Sequence, residues 1–294
     1  MSRLLLILSL LPGFAQEHPA LPADFRWVNA LPETASPRVR HATYQSKIHN
    51  AAIGYAIYLP PGYDSGATRF PVVYYLHGGR SGSESKSVGM AAHFEKFIHE
   101  RPMIYVFSNG GAVSHYDYPA YKSYGERTLI EELIPHIDNT YRTIANWTGR
   151  GIEGFSQGGR GSARIAFAHP ELFCSAAAFG GGHQYERHAF EHNGHEGPPS
   201  NYLFAPKFNT YDLARRHAAR REHKPKLMIA VGTEDQNYQP NLHWMAFLDS
   251  LSIPYEKTIV PGVKHDARGV YNFLGSKSIE FHAACFAARS NVAK

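Results

Sequence analysis

A serine lies at the centre of a glycine-rich pentapeptide, Gly154-Phe155-Ser156-Gln157-Gly158. This spacing fits the nucleophile elbow, G-x-S-x-G, whose glycines leave room for a sharp turn that lifts the serine hydroxyl above a sheet. An apolar run precedes the serine and a helical pattern follows it as far as Ala168, which is the context that the motif requires. A phosphate-binding turn is the alternative, but such a loop carries a Lys-Ser or Lys-Thr pair after its last glycine, and no such pair follows here. The pattern therefore predicts nucleophilic chemistry at Ser156.

A serine nucleophile needs a base, normally a histidine that a carboxylate orients. Asp235 and His265 follow two apolar runs downstream of Ser156, in the chain order that accompanies the elbow motif. Because both come just after predicted strand ends, loops can carry them to the serine. Glu234 is the alternative acid, but neighbours on a loop point in different directions, which favours Asp235. Asp266 directly follows the histidine and is poorly placed to reach its Nδ1 atom.

Attack on a carbonyl carbon creates an oxyanion, which preorganised N–H groups must stabilise. The amide of the residue after the nucleophile, Gln157, is one such donor. The second is expected in the loop after the apolar run 72–76, which reads His77-Gly78-Gly79-Arg80. We expect the amide of Gly79 to serve, because a residue without a side chain lets the backbone approach a substrate closely.

Seven short apolar runs alternate with helical patterns along the chain. Most of the runs are continuously apolar and end in Gly, Pro or Asn, as parallel strands buried on both faces do. The predicted strands are 54–59, 72–76, 103–107, 151–155, 174–179, 226–231 and 255–260. An irregular arm at 16–38 precedes them, and the predicted helices are 88–99, 126–138, 158–168, 238–251 and 276–289. This alternation predicts an α/β fold, with a mainly parallel sheet and helices on both of its faces.

The stretch from His183 to His223 fits no predicted strand and contains several Gly and Pro residues. We interpret it as a loop insertion over the carboxyl edge of the sheet, where ligands bind in open α/β folds. Its histidines could suggest a metal site: His183, His188, His192 and His195. Their irregular spacing lacks the helical pairing typical of zinc ligands, which favours pocket lining or a solvated loop. We therefore predict no metal and no organic cofactor.

The first residues have the pattern of a secretory signal peptide. Arg3 precedes the apolar run Leu4–Leu11, and Gly13 and Ala15 place small residues at the −3 and −1 positions of a cleavage site. The run is too short to span a bilayer, which needs about 20 apolar residues, and no longer apolar segment follows. We therefore expect cleavage after Ala15, a single domain over 16–294, and a secreted or periplasmic protein.

The composition excludes several classes of protein. Of the 294 residues, 43% are hydrophobic and 19% are charged, which is globular composition and excludes intrinsic disorder and collagen. The formal net charge of +5 comes from 30 basic and 25 acidic residues without a basic block, which argues against nucleic acid as a partner.

Export would permit a disulfide bond between the two cysteines, Cys174 and Cys285, but two buried thiols fit the sequence equally well. The oligomeric state stays open.

Segments ahead of the elbow resemble a known family. Residues 59–64 read LPPGYD, residues 69–79 read RFPVVYYLHGG, and ELIPHID and YRT follow at 132–138 and 141–143. With the elbow, these segments are similar to the esterase-D-like branch of α/β-hydrolases. That branch holds feruloyl and acetyl-xylan esterases, siderophore esterases, S-formylglutathione hydrolases and mycolyltransferases. The resemblance covers about residues 40–290.

The resemblance implies an α/β-hydrolase fold and a serine esterase that needs no cofactor. It implies Ser156, Asp235 and His265 as the catalytic triad, and the amides of Gly79 and Gln157 as the oxyanion hole. Gln157 stands where the family often has Met, a departure that does not affect a backbone donor.

Aromatic residues after the run 103–107 could form a pocket wall. Tyr116, Tyr118 and Tyr121 could stack a sugar or a phenolic ring, and His183 could line the same pocket. A loop packed by its own aromatic side chains is the alternative.

By analogy with the family, export and aromatic lining favour feruloyl or acetyl esters of plant polysaccharide as substrates, while siderophore lactones and acyl transfer would use the same triad. A non-catalytic binding protein of the same fold is a further alternative, and it predicts a defective triad.

Overall fold

An eight-stranded sheet forms the centre of the fold. The computed structural model describes residues 23–33, 35–79, 83–183, 189–192, 195–199 and 209–290. From one edge of the sheet to the other, the strands are β1 (Val39–Ser46), β2 (Ala51–Tyr58), β4 (Ile104–Ser108), β3 (Val72–Leu76), β7 (Arg150–Phe155), β8 (Ser175–Phe179), β11 (Lys226–Gly232) and β12 (Glu256–Val260). Two small hairpins lie outside this sheet: β5 (Asp117–Tyr118) with β6 (Ser123–Tyr124), and β9 (Ala189–His192) with β10 (His195–Pro199).

The strands from β4 to β12 run parallel, whereas β1 pairs with β2, and β2 with β4, in antiparallel fashion. The predicted α/β fold with a mainly parallel sheet is therefore confirmed, and every predicted apolar run overlaps a strand of the sheet. β1 was not predicted. It is an edge strand of mostly exposed and half-buried residues, in which Tyr44 and Ser46 alone are buried, so it has no continuous apolar run.

Eight α-helices and one π-helical segment connect the strands within the described residues. They are α1 (Ala91–Glu95), α2 (Gly125–Arg127), the π-helix Thr128–Leu133, α3 (Ile134–Thr140), α4 (Gln157–Ala168), α5 (Thr210–Ala219), α6 (Tyr238–Ser250), α7 (Ala267–Leu274) and α8 (Lys277–Ser290). The predicted helix at 126–138 is thus a continuous run of α2, the π-helix and α3. The predicted helix at 88–99 shortens to a 3₁₀ turn followed by α1.

The helices divide between the two faces of the sheet. Successive side chains of a strand point to opposite faces, so Tyr74 and Leu76 join one core while Val73 and Tyr75 join the other. The first core holds the side chains of α3, α4, α5 and α6, and the second holds those of α1, α7 and α8. The prediction of helices on both faces is confirmed.

The predicted insertion at 183–223 contains regular structure. The backbone of β9 and β10 forms an antiparallel hairpin there, and α5 lies in its second half. The Asn209 side chain caps α5 by accepting hydrogen bonds from the amides of Tyr211 (3.0 Å) and Asp212 (3.4 Å). The prediction of a loop is therefore wrong for residues 210–219, which form a helix that packs against one of the cores.

A disulfide joins Cys174, just before β8, to Cys285 on α8, with 6.1 Å between their Cα atoms. The bond, which the sequence left open, fastens the last described helix to the sheet. The predicted signal peptide, 1–15, lies outside the described residues. Within the part of the chain that is described, no helix is long and apolar enough to cross a membrane, and no cluster of His, Cys, Asp and Glu could hold a metal ion.

Candidate active site

Ser156 occupies a strained turn between β7 and α4. Its φ of 61° and ψ of −122° lie outside the regions that non-glycine residues normally adopt, and such strain is typical of functional sites. Two hydrogen bonds fix the turn, because the Ser156 amide donates to the carbonyl of Phe179 (2.8 Å) and the Arg160 amide donates to the carbonyl of Ser156 (3.0 Å). The backbone of Ser156 therefore has the strained conformation that the elbow motif predicts.

The glycines of the elbow let helix α4 approach strand β3. A Cβ atom built on Gly154 or Gly158 would come closer than 3.0 Å to the carbonyl oxygen of Leu76, a separation that real Cβ atoms essentially never show. Any larger residue at these positions would push the helix away from the strand.

The three predicted catalytic side chains form one hydrogen-bonded chain. Ser156 Oγ lies 2.8 Å from His265 Nε2, and His265 Nδ1 lies 2.9 Å from each carboxylate oxygen of Asp235. A carboxylate only accepts hydrogen bonds, so Nδ1 carries the proton and donates it to Asp235, which leaves Nε2 to accept from the serine hydroxyl. The Asp235 side chain is fully buried, and the His265 side chain is one-quarter exposed.

Parallel strand order brings these residues together. Asp235 lies in the turn after β11 and His265 in the loop after β12, and both strands end at the same edge of the sheet as β7. The amide of Asn237 donates to Asp235 Oδ1 (2.7 Å), and the rings of Phe155 and His265 pack with their centroids 4.8 Å apart. The carboxylate and the imidazole are thus each held by a second contact.

The two alternative acids, Glu234 and Asp266, make other contacts. The Glu234 residue is exposed, and its amide donates to the carbonyl of Val263 (3.1 Å). The Asp266 side chain caps α7 by accepting from the amides of Arg268 (3.1 Å) and Gly269 (3.0 Å).

The glycine loop after β3 lies beside the serine. A Cβ atom built on Gly78 would lie 3.1 Å from Ser156 Cβ, so the backbone of this loop passes directly next to the elbow. Gln157, whose amide is the other predicted oxyanion donor, is the first residue of α4 and is buried. The Gly79 carbonyl accepts a hydrogen bond from Lys86 Nζ (2.9 Å).

Two buried histidines, His77 and His115, contact the backbone of this loop. Neither of them was assigned a role from the sequence. His77 and His115 lie with their ring centroids 4.6 Å apart, and His115 Nε2 donates to the carbonyl of His77 (3.0 Å). Burial and the charge of Lys86 lower the pKa of His77 to about 4, and burial and His77 lower the pKa of His115 well below its usual value. Both rings are therefore neutral at pH 7, which lets them remain buried.

The predicted substrate-contacting residues are mostly buried against protein. Tyr116 lies under the guanidinium of Arg164, with its ring centroid 4.1 Å from Cζ, and Tyr121 packs against Tyr118 at 5.1 Å. His183 stacks on Trp244 at 3.6 Å, and burial lowers its pKa well below the usual value. The sequence left open whether the tyrosines line a pocket or pack within their own loop, and Tyr116 and Tyr121 are buried; His183, interpreted as pocket lining or part of a solvated loop, is fully buried as well. Tyr118 is partly exposed.

Comparison with known proteins identifies the family. Residues 46–265 match the family described as Esterase ("Putative esterase"), which spans most of the chain. The chain belongs to the Esterase family. This membership agrees with the family resemblance seen in the sequence.

Curated relatives align over part of the chain. Esterase Rv1288 of Mycobacterium tuberculosis is 28% identical over 149 residues, which is 49% of this chain and 32% of that protein. The endo-1,4-beta-xylanase/feruloyl esterase of Xylanibacter ruminicola is 30% identical over 133 residues, or 40% of this chain and 18% of that protein. The aligned parts thus span at most about a third of these longer relatives. Among solved structures, a ferulic acid esterase superposes with a TM-score of 0.69 at 19% identity, covering 84% of this chain and 98% of that one, which shows the shared fold.

Proposed function

We propose that this protein hydrolyses carboxylic esters through a covalent acyl-enzyme on Ser156. The observation that carries the proposal is the continuous hydrogen-bonded chain from Ser156 Oγ through His265 to the buried carboxylate of Asp235. His265 Nε2 takes the serine proton as Oγ attacks the ester carbonyl, and then returns this proton to the departing alcohol. Water, activated by the same imidazole, releases the acid and regenerates the serine. Asp235 keeps the imidazole in the required tautomer and stabilises its cation.

The backbone supplies the electrostatic part of the mechanism. The N–H groups of Gln157 and Gly79 stabilise the negative charge that develops on the carbonyl oxygen. Two observations support this assignment: Gln157 lies at the start of α4, and the glycine loop passes beside Ser156. Loss of a single oxyanion donor costs about 10²–10³ in rate in other serine hydrolases.

A Ser156→Ala variant tests the nucleophile. Turnover of an aryl ester is expected to fall roughly 10⁶-fold, because no other group in the proposed triad attacks the carbonyl. An active-site-directed fluorophosphonate should label the wild-type protein at Ser156 and leave the variant unlabelled. Wild-type turnover by the folded variant would rule out the acyl-enzyme. Failure of the wild-type protein to react with the fluorophosphonate would instead favour a non-catalytic binding protein.

For the substrate, we propose feruloyl or acetyl esters of plant polysaccharide. The proposal is supported by the relative from Xylanibacter ruminicola, which is named as both a xylanase and a feruloyl esterase. Purified protein should be assayed against methyl ferulate, acetylated xylan, short p-nitrophenyl esters and siderophore-type lactones, with and without a sugar acceptor. Faster cleavage of the lactone, or acyl-sugar products with the acceptor present, would replace this substrate class.

We also propose that the protein works outside the cytoplasm. The disulfide between Cys174 and Cys285 supports this location, because such bonds persist mainly in oxidising compartments. Export with cleavage after Ala15 would give a mature chain beginning at Gln16, and amino-terminal sequencing of the exported protein would check this. A chain retained in the cytoplasm with an intact amino terminus would contradict it.

A further inference from the structure

Glu84, five positions after Gly79 in the chain, has a fully buried carboxylate that lies outside the proposed triad. Glu84 Oε1 accepts from the Asn29 amide (2.7 Å) and contacts His41 Nε2 (2.9 Å), while Oε2 accepts from Asn29 Nδ2 (2.9 Å) and Asn109 Nδ2 (3.0 Å). Gly54 leaves room for it, since a Cβ atom there would clash with Oε1. Burying a carboxylate is costly unless its hydrogen bonds are made, so this set of contacts holds each partner in a defined position.

Asn109 passes this constraint on to His77. The Asn109 side chain is bound to Glu84, and its backbone carbonyl lies 2.7 Å from His77 Nε2. The other ring nitrogen of His77 lies 2.9 Å from the carbonyl oxygen of Gly78. The ring therefore sits between two carbonyl oxygens, one at the end of β4 and one in the glycine loop. Because it is neutral at pH 7, it donates to one of them at a time, and when Nδ1 carries the proton Nε2 can accept from the amide of Ser83 (3.4 Å).

The peptide that the His77 ring contacts also carries the predicted oxyanion donor. The carbonyl of Gly78 and the N–H of Gly79 belong to one planar peptide unit, which is trans because no cis peptide is found in the described residues. The Gly78 oxygen faces the ring, so the Gly79 N–H points away from it. The same loop passes beside Ser156. A small displacement of the ring would therefore rotate the donor relative to the reacting carbonyl.

We propose that Glu84 is a positioning residue for the oxyanion hole, acting through Asn109 and His77 on the peptide between Gly78 and Gly79. This inference rests on the proposed esterase mechanism. It predicts that Glu84 affects binding of the transition state while leaving binding of the ester in its ground state unchanged.

The test is a Glu84→Gln variant, which keeps the volume but replaces one acceptor oxygen with an NH₂ group facing donors. Per site labelled by the fluorophosphonate, kcat/KM for an aryl ester should fall about tenfold, short of the 10²–10³ for loss of a whole donor, with KM unchanged. The inhibition constant of a boronic acid, which forms a tetrahedral adduct with the serine, should rise by the same factor. Counting labelled sites removes the contribution of any misfolded fraction.

Glu132→Gln is the matched control. The Glu132 carboxylate also accepts several hydrogen bonds, from Ser46 Oγ (2.6 Å), the Lys47 amide (2.8 Å) and the Ile48 amide (3.0 Å), and it supports the turn between β1 and β2. Activity per labelled site should be unchanged in this variant.

A double-mutant cycle with His77→Ala provides the decisive comparison. If Glu84 acts through His77, then Glu84→Gln should have no further effect per labelled site in the His77→Ala background. Fully additive effects, or unchanged kcat/KM and boronic acid affinity in Glu84→Gln, would overturn the proposal while leaving the esterase mechanism intact. Loss of the mechanism itself would show separately, as an unlabelled or inactive wild-type protein.

Discussion

Glu234 and Asp235 are adjacent carboxylates in very different surroundings. The Asp235 side chain is fully buried and accepts from His265 Nδ1, whereas Glu234 is exposed. A buried carboxylate next to an imidazole stabilises the imidazolium that forms during proton transfer far more than an exposed one can, because water does not screen the interaction.

This contrast gives a paired prediction. Asp235→Asn should lower kcat by about 10⁴, because an amide at this position favours the wrong histidine tautomer. Glu234→Gln, one residue away, should leave kcat within about twofold. Steady-state kinetics on a single aryl ester measures both. Equal losses in the two variants would show that the turn as a whole, rather than the Asp235 carboxylate, is what matters.

The three residues of the proposed triad could be located from the sequence because each follows an apolar strand run within a few positions. Glu84 could not be given a role in this way. Its partners Asn29 and Asn109 lie 55 and 25 positions away in the chain, and only the folded structure shows that the three segments meet. The burial of Tyr116 could not be predicted either, because the sequence pattern of a tyrosine in a loop is the same whether its ring lines a pocket or packs under an arginine.

At the scale of secondary structure, the close contact between α4 and β3 positions the nucleophile. The helix starts at the residue after Ser156, so its distance from the sheet fixes how far the serine projects. Gly158 lies at the point of closest approach, next to the carbonyls of Leu76 and His77.

A Gly158→Ala substitution should therefore separate α4 from β3 and disturb both the elbow and the start of the glycine loop. We expect a loss of at least 10²-fold in kcat/KM per labelled site, together with a lower melting temperature. Gly66→Ala is the matched control, because a Cβ atom there meets nothing within 4 Å and Gly66 does not have a positive φ. Wild-type activity in Gly158→Ala would mean that the helix can shift without moving the serine.

The parallel strands and most helices could be predicted because burial on both faces leaves long apolar runs. Helices α5 and α7 were not predicted, for different reasons. The buried residues of α5 include Leu213 and Ala214 among several charged neighbours, which weakens its apolar signal. The short helix α7 begins directly after His265-Asp266, a segment interpreted as a loop because of its candidate catalytic histidine.

At the scale of the whole molecule, the disulfide connects residues 111 positions apart. It closes a loop that includes α5, α6, α7 and most of α8, together with strands on one side of the sheet. In the chain-entropy account, cross-linking so long a loop restricts the unfolded state strongly.

Replacing both cysteines, Cys174→Ala with Cys285→Ala, should lower the free energy of unfolding by about 2–5 kcal/mol. Denaturant unfolding of oxidised wild type, reduced wild type and the double variant measures the effect. Activity per labelled site at low denaturant should be retained, since the bond lies at the opposite end of β8 from the serine. Equal stability of the oxidised and reduced wild type would contradict a stabilising role.

The same bond has a topological consequence for a protein exposed to proteases. Ser156 precedes Cys174, while Asp235 and His265 both lie between Cys174 and Cys285. A single cut anywhere between the two cysteines would therefore yield two fragments that remain one covalent molecule, with the nucleophile always on the first. Such a nicked protein would run as an intact chain on a non-reducing gel and separate into two pieces only after a reductant is added.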